Sequence, residues 1–438
     1  MRVENAPIAG MKVVHLDVHG DDRGWFKENW QRTKMVEAGL ADFGPVQHNV
    51  SFNETAGTIR GLHAEPWDKF VSVATGKVFA AWVDLRAGEG FGTTFWIEID
   101  SSVAVFIPRG VANSYQTLTE NTTYSYLVND HWRADAEYVN VNLLDETLAI
   151  PWPLDVTAMS EKDQGHPPLA EVQPMSPRRT IVIGAIGQLG LALAPLLPDA
   201  EFLTQDQLDL ALPDTISAFD WTGVGTVINA AADTDVDGAE TTEGRRRAWA
   251  INVGGTVALA KQAIRHGFTL VAVSSDYVFD GEEVEHAIDE QGAPLGVYGQ
   301  TKAACEAVVA TVPRHYLVRT SWVVGEGKNF INTMQRLARE GVSPAVVDDQ
   351  FGRLTPASVL AAGIVDLLER EAPYGTVHIT GDGPVMSWWQ IARDVFEAEG
   401  RDANDVSAVS TEEWAATQLR PTSPRPKYGT LSLTEDGA

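Results

Sequence analysis

The hydrophobic positions of this chain follow two different periods. Before about residue 155, short runs of β-branched and aromatic residues, such as 70–74, 77–83 and 94–99, are separated by glycine, asparagine or aspartate. Runs of this length and spacing are typical of antiparallel strands. We therefore predict an all-β sandwich or barrel for this region, with one helix near residues 31–38.

The pattern changes after about residue 178. Strand-like apolar runs at 226–229, 270–273 and 316–319 alternate with helix-like segments over 248–266 and after Tyr298. In the helix-like segments the apolar residues recur with the helical period. This alternation predicts a parallel sheet covered by helices, so the second region is α/β.

A connection between the two regions is marked by proline. Residues 164–178 contain four prolines and few aliphatic side chains. This composition is typical of a short extended connection. We predict a first domain over 1–170, a linker over 171–178 and a second domain over 179–438.

Charge and cysteine content exclude several classes of function. The 438 residues carry a formal net charge of −27, which is spread along the chain and repels nucleic acid and anionic membranes. Cys305 is the only cysteine, which excludes an intramolecular disulfide and a cysteine-rich zinc site. No apolar run is long enough for a membrane span and the N-terminus lacks a signal-peptide pattern, so we expect a cytoplasmic protein.

Three glycines in the second region suggest a dinucleotide site. Gly184, Gly187 and Gly190 follow the apolar run 180–183. Glycines at this spacing between a strand and a helix let the backbone approach a pyrophosphate, although an ordinary glycine-rich turn is the alternative. The next predicted strand ends near residue 203 without an obvious acid or arginine, so NADPH and NADH both stay open.

A tyrosine and a lysine suggest proton transfer in the same region. Tyr298 and Lys302 lie four positions apart on a predicted helix and therefore share a face. The ammonium would stabilise the phenolate and make Tyr298 usable as an acid or base near neutral pH. Ser275, at a predicted strand end, would hydrogen-bond the carbonyl oxygen that Tyr298 protonates while hydride arrives. A surface helix pair is the alternative.

Further motifs give this region a family resemblance. They are Asn229-Ala-Ala-Ala232, Ser274-Ser-Asp-Tyr-Val-Phe-Asp-Gly281, Arg319-Thr-Ser-Trp322 and Val347-Asp-Asp-Gln-Phe-Gly352. With the glycines, Tyr298 and Lys302, they resemble the dTDP-4-dehydrorhamnose reductase family of extended short-chain dehydrogenases over nearly all of 178–438. The resemblance implies a Rossmann fold with a small substrate-binding subdomain and makes Ser275, Tyr298 and Lys302 the catalytic set. It also implies that the cofactor is bound by Gly184, Gly187, Gln188, Leu189, Gly190, Asn229, Ala230, Ala231, Asn252, Tyr298 and Lys302, and the sugar by Asp276, Tyr277 and Trp322.

The first region is short of cations but carries Arg23, Arg60 and His63 in polar motifs. Guanidinium groups pair with diphosphate oxygens, although surface arginines and a hydrogen-bonded histidine are the alternative. The sequence has no His-x-His pair followed by glutamate at the spacing that metal-binding double-stranded β-helices use. We therefore expect a metal-free site.

The motifs around these residues also resemble a family. They are Asp22-Arg-Gly-Trp-Phe26, Gln47-His-Asn-Val-Ser51, Arg60-Gly-Leu-His63, Val83-Asp-Leu-Arg86, Ile107-Pro-Arg-Gly110, Ile150-Pro-Trp-Pro153 and Ser160-Glu-Lys-Asp163. With Lys69 and Tyr126 they resemble dTDP-4-dehydrorhamnose 3,5-epimerase over about 10–165, which implies an all-β double-stranded β-helix, the cupin or jelly-roll fold. The resemblance makes His63 the base, oriented by Asp163, and Tyr126 the acid, with Lys69 near the enolate oxygen. It makes the substrate-binding set Arg23, Glu28, Gln47, Asn49 and Arg60.

Two stretches depart from the epimerase pattern. Ala64 and Glu65 stand where the family usually has Tyr-Gln, and Ala112-Asn-Ser-Tyr115 stands for Ala-His-Gly-Phe. In the second region, Asp233-Thr234 stands where the reductase family often has Tyr-Thr. The changes in the first region leave the implied base, acid and lysine intact but lie close enough to alter substrate choice or remove one epimerisation. The change in the second region affects its substrate-facing edge.

The two resemblances support each other, because the epimerase product is the reductase substrate in dTDP-L-rhamnose synthesis. We expect a bifunctional enzyme that epimerises dTDP-4-dehydro-6-deoxy-D-glucose at carbons 3 and 5 and then reduces its 4-keto group with NADPH or NADH. One alternative is the same chemistry on another 4-keto-6-deoxy sugar nucleotide, UDP-linked or inverted at one carbon. Another is a reductase with a non-catalytic cupin domain for binding or dimerisation. By analogy we expect a homodimer through the first domain.

Overall fold

The computed structural model describes residues 1–134 and 136–433. Its contacts divide the chain into a first unit, Met1–Pro177, and a second unit that begins at Arg178. Within the described residues, no helix has both the length and the apolar character that a bilayer span requires.

The first unit consists mainly of antiparallel strands. Its elements are β1 (Arg2–Asn5), β2 (Lys12–His15), β3 (Val18–Asp21), β4 (Gly24–Lys27), α1 (Arg32–Glu37), β5 (Gln47–Asn53), β6 (Ile59–Ala64), β7 (Lys69–Thr75), β8 (Val78–Asp84), β9 (Thr94–Ile99), β10 (Val103–Ile107), β11 (Val111–Thr117), β12 (Thr122–Val128), β13 (Val139–Asn140) and α2 (Glu161–Gln164). One sheet has the order β1-β2-β10-β7-β12-β5 and the other β13-β6-β11-β8-β9, while β3 and β4 pair separately. The predicted helix near residues 31–38 is confirmed as α1.

The two sheets of the first unit share a hydrophobic core. Trp82 of β8 is fully buried and belongs to one cluster with Val71 of β7 and Val105 of β10, which lie in the other sheet. All seven residues of β8 are buried, which explains why this run shows no polar alternation. Each large apolar side chain buried in this way contributes about 1.5–3 kcal/mol relative to exposure.

The segment predicted as a linker, 171–178, packs on the first unit as far as Pro177. Met175 is completely buried and Val172 nearly so, in a cluster that includes Leu85. The Met175 amide donates to the Leu85 carbonyl at 2.8 Å, and the Ala87 amide donates to the Met175 carbonyl at 2.9 Å. The proline-rich composition did not indicate that Val172 and Met175 would be buried. The residues up to Pro177 therefore belong to the first unit.

The second unit alternates strands and helices. Its elements are β14 (Arg179–Ile183), α3 (Gln188–Leu193), β15 (Glu201–Leu203), α4 (Pro213–Ala218), β16 (Val224–Asn229), α5 (Thr242–Ala248), α6 (Thr256–His266), β17 (Thr269–Ser275), α7 (Val297–Val309), β18 (His315–Thr320), β19 (Val323–Val324), α8 (Phe330–Arg339), β20 (Ala345–Val347), β21 (Phe351–Gly352), β22 (Thr355–Pro356), α9 (Ala357–Glu369), β23 (Gly375–His378), β24 (Met386–Ser387), α10 (Trp388–Ala398), β25 (Ser407–Val409) and α11 (Thr411–Ala416). Six strands form a parallel sheet with the order β15-β14-β16-β17-β18-β23.

Both faces of this sheet are covered. Ile181 and Ile183 of β14 pack in one cluster with residues of α6, whereas Val182 packs in another with residues of α3 and α9. Alternate residues of one strand therefore enter two cores, which is why the strands read as continuous apolar runs. The carboxyl ends of β14, β16 and β17 lie at one edge and carry the motif residues.

The predicted helix over 248–266 is interrupted. The α5 helix ends at Ala248, a π-helical segment runs over Trp249–Gly255, and α6 starts at Thr256. Gly255 allows close packing here, because a Cβ at this position would lie 2.8 Å from the Leu210 Cβ. Single π-helical turns inside helices are frequent at functional sites.

Candidate active sites

A histidine and an aspartate form a dyad in the first unit. His63 Nε2 lies 2.8 Å from Asp163 Oδ1, although the two residues are 100 positions apart. His63 is on β6, and Asp163 is in the first turn of α2, where Ser160 caps its amide at 3.1 Å. Burial alone would raise the pKa of Asp163, but the hydrogen bonds from His63 and the Gly61 amide outweigh it and lower that pKa. The ionised carboxylate thus hydrogen-bonds the imidazole and orients it in the site.

Gly61 sets the position of His63. Its φ of +117° lies in the region that favours glycine. A Cβ on Gly61 would lie 2.5 Å from the Asn113 carbonyl oxygen and 2.6 Å from the Ser114 Cβ of β11. Only glycine therefore lets β6 run this close to β11 two residues before His63.

The dyad opens on a cavity of about 460 Å³. Of the residues predicted from the sequence, the cavity brings together His63, Asp163, Tyr126, Lys69 and Arg60. The other lining residues are Ser51, Thr58, Ile59, Gly61, Glu65, Asn113, Tyr115, Tyr124, Ala158, Met159, Ser160 and Lys162. A base, a phenol, a lysine and an arginine around one cavity can remove a proton, return one and bind an anion.

A second histidine packs against the first. The rings of His63 and His166 meet edge to face, with their centroids 5.4 Å apart. Neither ring nitrogen of His166 has a hydrogen-bond partner among the described residues. Burial and the nearby His63 lower the pKa of His166, so His166 is neutral at pH 7. Donor atoms of His63, Asp163 and His166 lie within 4.8 Å of one another.

Four predicted substrate-binding residues are not among those that line the cavity. Arg23 lies at the turn between β3 and β4, pairs with Asp21 and has 89% of its side chain exposed. Glu28 pairs with Lys34. Gln47 and Asn49 lie on β5, where the Gln47 amide donates to Asn49 Oδ1 at 3.0 Å.

The glycines of the second unit bring two segments into contact. Gly184 follows β14 with a φ of +96°, and a Cβ there would lie 2.9 Å from the Ala231 amide nitrogen. A Cβ on Gly190 would lie 2.2 Å from the Gly184 carbonyl oxygen. Gly187 is the N-cap of α3, and Gln188 and Leu189 begin the helix. The absence of side chains lets the turn pack against the segment after β16.

Asn252 connects the segment after β16 to α7 through hydrogen bonds. It lies in the π-helical segment, and its Oδ1 accepts from the Asp233 amide at 2.8 Å. Its Nδ2 donates to the Asp233 carbonyl at 3.1 Å and to Thr301 Oγ1 at 3.0 Å. Asn229 holds the start of the segment by accepting from the Ala231 amide at 3.2 Å.

Ser275, Tyr298 and Lys302 lie in the same unit close to the end of β17. Ser275 Oγ donates to Asp276 Oδ1 at 2.8 Å, and a hydrogen bond joins the Ser275 and Tyr298 side chains. Lys302 is one turn beyond Tyr298 on α7, and its Nζ donates to the Val273 carbonyl at 2.6 Å. All three predicted catalytic side chains thus converge on one strand end.

Burial acts against the expected effect of Lys302 on Tyr298, which stays a prediction. Burial, followed by the charge of Asp276, raises the pKa of Tyr298 above its usual value. Burial also lowers the pKa of Lys302, and its ammonium is directed to the Val273 carbonyl. Desolvation outweighs the i, i+4 arrangement that the sequence suggested, so Tyr298 is held as a protonated acid.

Asp276, Tyr277 and Trp322 surround this set. Asp276 is 1% exposed, and burial raises its pKa to about 7. Tyr277 meets Tyr298 edge to face at 5.5 Å between centroids. Trp322, with a φ of +44°, stacks on Trp388 at 3.7 Å between ring centroids.

Comparison with known proteins gives both units a family. The dTDP-4-dehydrorhamnose 3,5-epimerase family matches residues 5–171, and the RmlD substrate binding domain matches residues 178–435. The protein RmlC homolog of Streptococcus pyogenes serotype M6 is 49% identical over 179 residues, which cover 39% of this chain and 90% of that protein. The dTDP-4-dehydrorhamnose reductase of Aggregatibacter actinomycetemcomitans is 37% identical over 262 residues, 56% of this chain and 88% of that one. The chain belongs to the dTDP-4-dehydrorhamnose 3,5-epimerase and reductase families.

A solved structure supports the reductase family. The dTDP-4-dehydrorhamnose reductase of Bacillus anthracis, in complex with NADP, is 32% identical, with a TM-score of 0.54. The match covers 59% of this chain and 91% of that one. The family resemblances inferred from the sequence motifs are therefore confirmed for both units.

The sequence motifs did not assign a role to several residues of these sites. In the epimerase unit, Glu65 and Tyr115, which appeared only as departures from the family pattern, line the cavity, and His166, which had no motif, adjoins it. Glu65 carried a signal, because an acid two residues after the expected base departs from the family pattern. In the reductase unit, Trp388 carried no signal, because only the folded chain brings it onto Trp322.

Proposed function

We propose that this chain is a bifunctional enzyme of dTDP-L-rhamnose synthesis. It epimerises dTDP-4-dehydro-6-deoxy-D-glucose at carbons 3 and 5, and it then reduces the 4-keto group with NADPH. The observation that carries the proposal is that one chain of both families contains the His63–Asp163 dyad facing Tyr126 and, in its reductase unit, the Ser275, Tyr298 and Lys302 set.

The epimerase step needs a base and an acid on opposite faces of the sugar. His63 removes the proton beside the keto group, and Asp163 stabilises the imidazolium that forms. Lys69 stabilises the enolate oxygen, and Tyr126 gives its phenolic proton to the carbon from the other face. Arg23 and Arg60 bind the diphosphate, Gln47 and Asn49 support the nucleotide, and Glu28 is a further predicted substrate contact. The imidazolium and the tyrosinate then exchange protons with water, so the step is balanced.

The reductase residues fit a dinucleotide. The Gly184 turn lies so close to Ala230 and Ala231 that a Cβ would fill the space, which agrees with the close backbone approach that a pyrophosphate needs. NADPH supplies the hydride when it is bound. Tyr298 gives the proton to the 4-oxygen, Ser275 hydrogen-bonds the same oxygen, and Asp276, Tyr277 and Trp322 bind the sugar.

We extend the proposal to the finer architecture. We propose a cupin double-stranded β-helix over 1–170 and a Rossmann fold with a small substrate-binding subdomain over 179–438; the segment 171–178 between them packs on the first unit as far as Pro177. The antiparallel sheets and the six-stranded parallel sheet support this. We also propose a cytoplasmic homodimer through the cupin domain, with a metal-free epimerase site.

The test is NADPH oxidation with dTDP-4-dehydro-6-deoxy-D-glucose in deuterated water, followed by proton NMR. The wild type should give a rhamno-configured product that carries deuterium at carbons 3 and 5. His63→Ala should stop NADPH oxidation until a separate epimerase is added. His131→Ala, which removes an exposed histidine of the same unit, is the matched control.

Any of three results would contradict the proposal. Full activity of His63→Ala would remove the epimerase assignment from the first unit. Deuterium at one carbon or none, or equal turnover of the UDP-linked sugar, would assign the reductase to a different keto sugar.

A further inference from the structure

A buried ion pair lies in the epimerase cavity beside the proposed acid. Lys69 Nζ pairs with a carboxylate oxygen of Glu65, and their side chains are only 6% and 14% exposed. The Trp67 indole donates to the same carboxylate at 2.9 Å. Both residues line the cavity, so this ion pair is part of the epimerase site.

The lysine of this pair faces the ring of Tyr126. Lys69 Nζ lies 5.5 Å from the ring centroid. An unpaired ammonium at this distance favours the ionised phenol, because opposite charges within a few ångströms stabilise each other. The Glu65 carboxylate opposes that effect.

Burial and the neighbouring charged groups together set the pKa of Tyr126. Burial raises the pKa of Tyr126 to about 12, and the charge of Glu65 raises it next. The other titratable groups that act on this phenol or face it are Tyr115 on β11, Tyr138 before β13, Tyr124 on its own strand, Arg60 on β6 and Lys69 on β7. Arg60 lowers the pKa of Tyr126, whereas Tyr115 and Tyr138 raise it. Among the residues that the structure describes, Glu65 is the acid whose charge contributes most to raising this pKa.

We propose that Glu65 is a positioning residue of the epimerase site: it holds the Lys69 ammonium in the cavity and balances its charge beside the Tyr126 phenol. Lys69 can then stabilise an enolate oxygen while Tyr126 keeps the proton that it must donate. The inference rests on the proposed function, in which Tyr126 is the acid. Glu65 itself transfers no proton.

Glu65→Gln tests the charge with little change of shape. The amide oxygen can still accept from Trp67, but the negative charge is lost. We expect the near-ultraviolet phenolate signal of Tyr126 to appear roughly one to three pH units lower than in the wild type. The alkaline decline in the rate of epimerised product should move down by the same amount. The signal is assigned by its loss in the double variant with Tyr126→Phe.

Two further variants make the result specific. Glu65→Asp keeps the charge, so turnover falls with the altered geometry while the phenolate titration stays near that of the wild type. Glu98→Gln breaks a lysine–glutamate pair that is half exposed on the same unit and should change neither readout. NADPH oxidation with pre-epimerised substrate reports in every variant that the reductase unit is folded, and the phenolate titration of Tyr126 itself reports on the epimerase unit.

The inference is wrong if Glu65→Gln leaves the phenolate titration and the alkaline decline at their wild-type positions, whatever happens to turnover. It is also wrong if Glu65→Asp shifts them as far as Glu65→Gln does. Failure of the proposed function is a different result: Tyr126→Phe would then epimerise at the wild-type rate.

Discussion

Gly184→Ala should disable cofactor binding without affecting the epimerase unit. The substitution adds a methyl group where the turn after β14 meets the segment after β16. The new Cβ would lie 2.9 Å from the Ala231 amide nitrogen and 3.0 Å from the Ala230 carbonyl carbon. Both neighbours are backbone atoms, so no side chain can rotate away.

Two energetic costs, one conformational and one steric, determine how much NADPH affinity Gly184→Ala loses. A residue other than glycine at the φ of +96° seen here costs about 1–2 kcal/mol. A methyl group forced against packed atoms costs about 1–3 kcal/mol more. The turn relieves the contact by moving away from Ala230 and Ala231, and binding must reverse that movement. The sum of about 2–5 kcal/mol corresponds to a loss of NADPH affinity of roughly 30-fold to a few thousandfold.

Gly223→Ala is the matched control. Gly223 also has a positive φ, +69°, but a Cβ there would have no atom within 4 Å. Gly223→Ala therefore has the conformational cost of a positive φ but causes no steric contact. NADPH affinity is measured by isothermal titration calorimetry, and epimerised product by NMR, on both variants. If Gly184→Ala binds NADPH as tightly as Gly223→Ala does, the close approach of the two segments does not serve the cofactor.

Three further predictions follow from the sites. Tyr298→Phe should lower the reduction rate by about 10²–10⁴-fold while deuterium exchange by the epimerase unit continues, because only the reductase loses its acid; unchanged NADPH oxidation would remove Tyr298 from that role. Burial raises the pKa of Asp276 to about 7, above the unfolded value, so its contribution to stability is full below about pH 4 and is lost as the pH rises through 7. Asp276→Asn should therefore flatten the fall in the unfolding temperature of the reductase unit between about pH 4 and pH 7, the interval between the unfolded and folded pKa values; an equally steep fall would contradict the assigned burial. EDTA should leave both activities unchanged, whereas added Zn²⁺ should inhibit only epimerisation, because His63, Asp163 and His166 offer three donors within 4.8 Å; His166→Ala should weaken that inhibition in a titration of rate against Zn²⁺.

Local patterns predicted much of the architecture. The period of apolar residues identified the strands of the first unit, the helix α1, and the alternation of strands and helices in the second unit. At 248–266 the prediction was incomplete, because a π-helical segment over Trp249–Gly255 precedes the regular helix Thr256–His266. It failed for Met175, because composition around prolines does not reveal which single side chain a distant core will bury.

Candidate catalytic and cofactor-binding residues could be predicted where they lie close to one another in the sequence. The glycines from 184 to 190 and the pair Tyr298 and Lys302 lie in short motifs, so the sequence could identify them. Their electrostatics could not be read in the same way. Burial raises the pKa of Tyr298, and the Lys302 ammonium donates to the Val273 carbonyl. Both depend on how the whole unit packs.

The sequence by itself determined the class of each unit and the family motifs, because hydrophobic period, turn-forming glycines and residue type act over a few neighbouring positions. Only the tertiary structure decided which distant groups meet. It joins His63 to Asp163 across 100 positions and brings Lys69, paired with Glu65, onto the ring of Tyr126. Strand register and burial fix these distances and local charges, and both arise from contacts between segments that are remote along the chain.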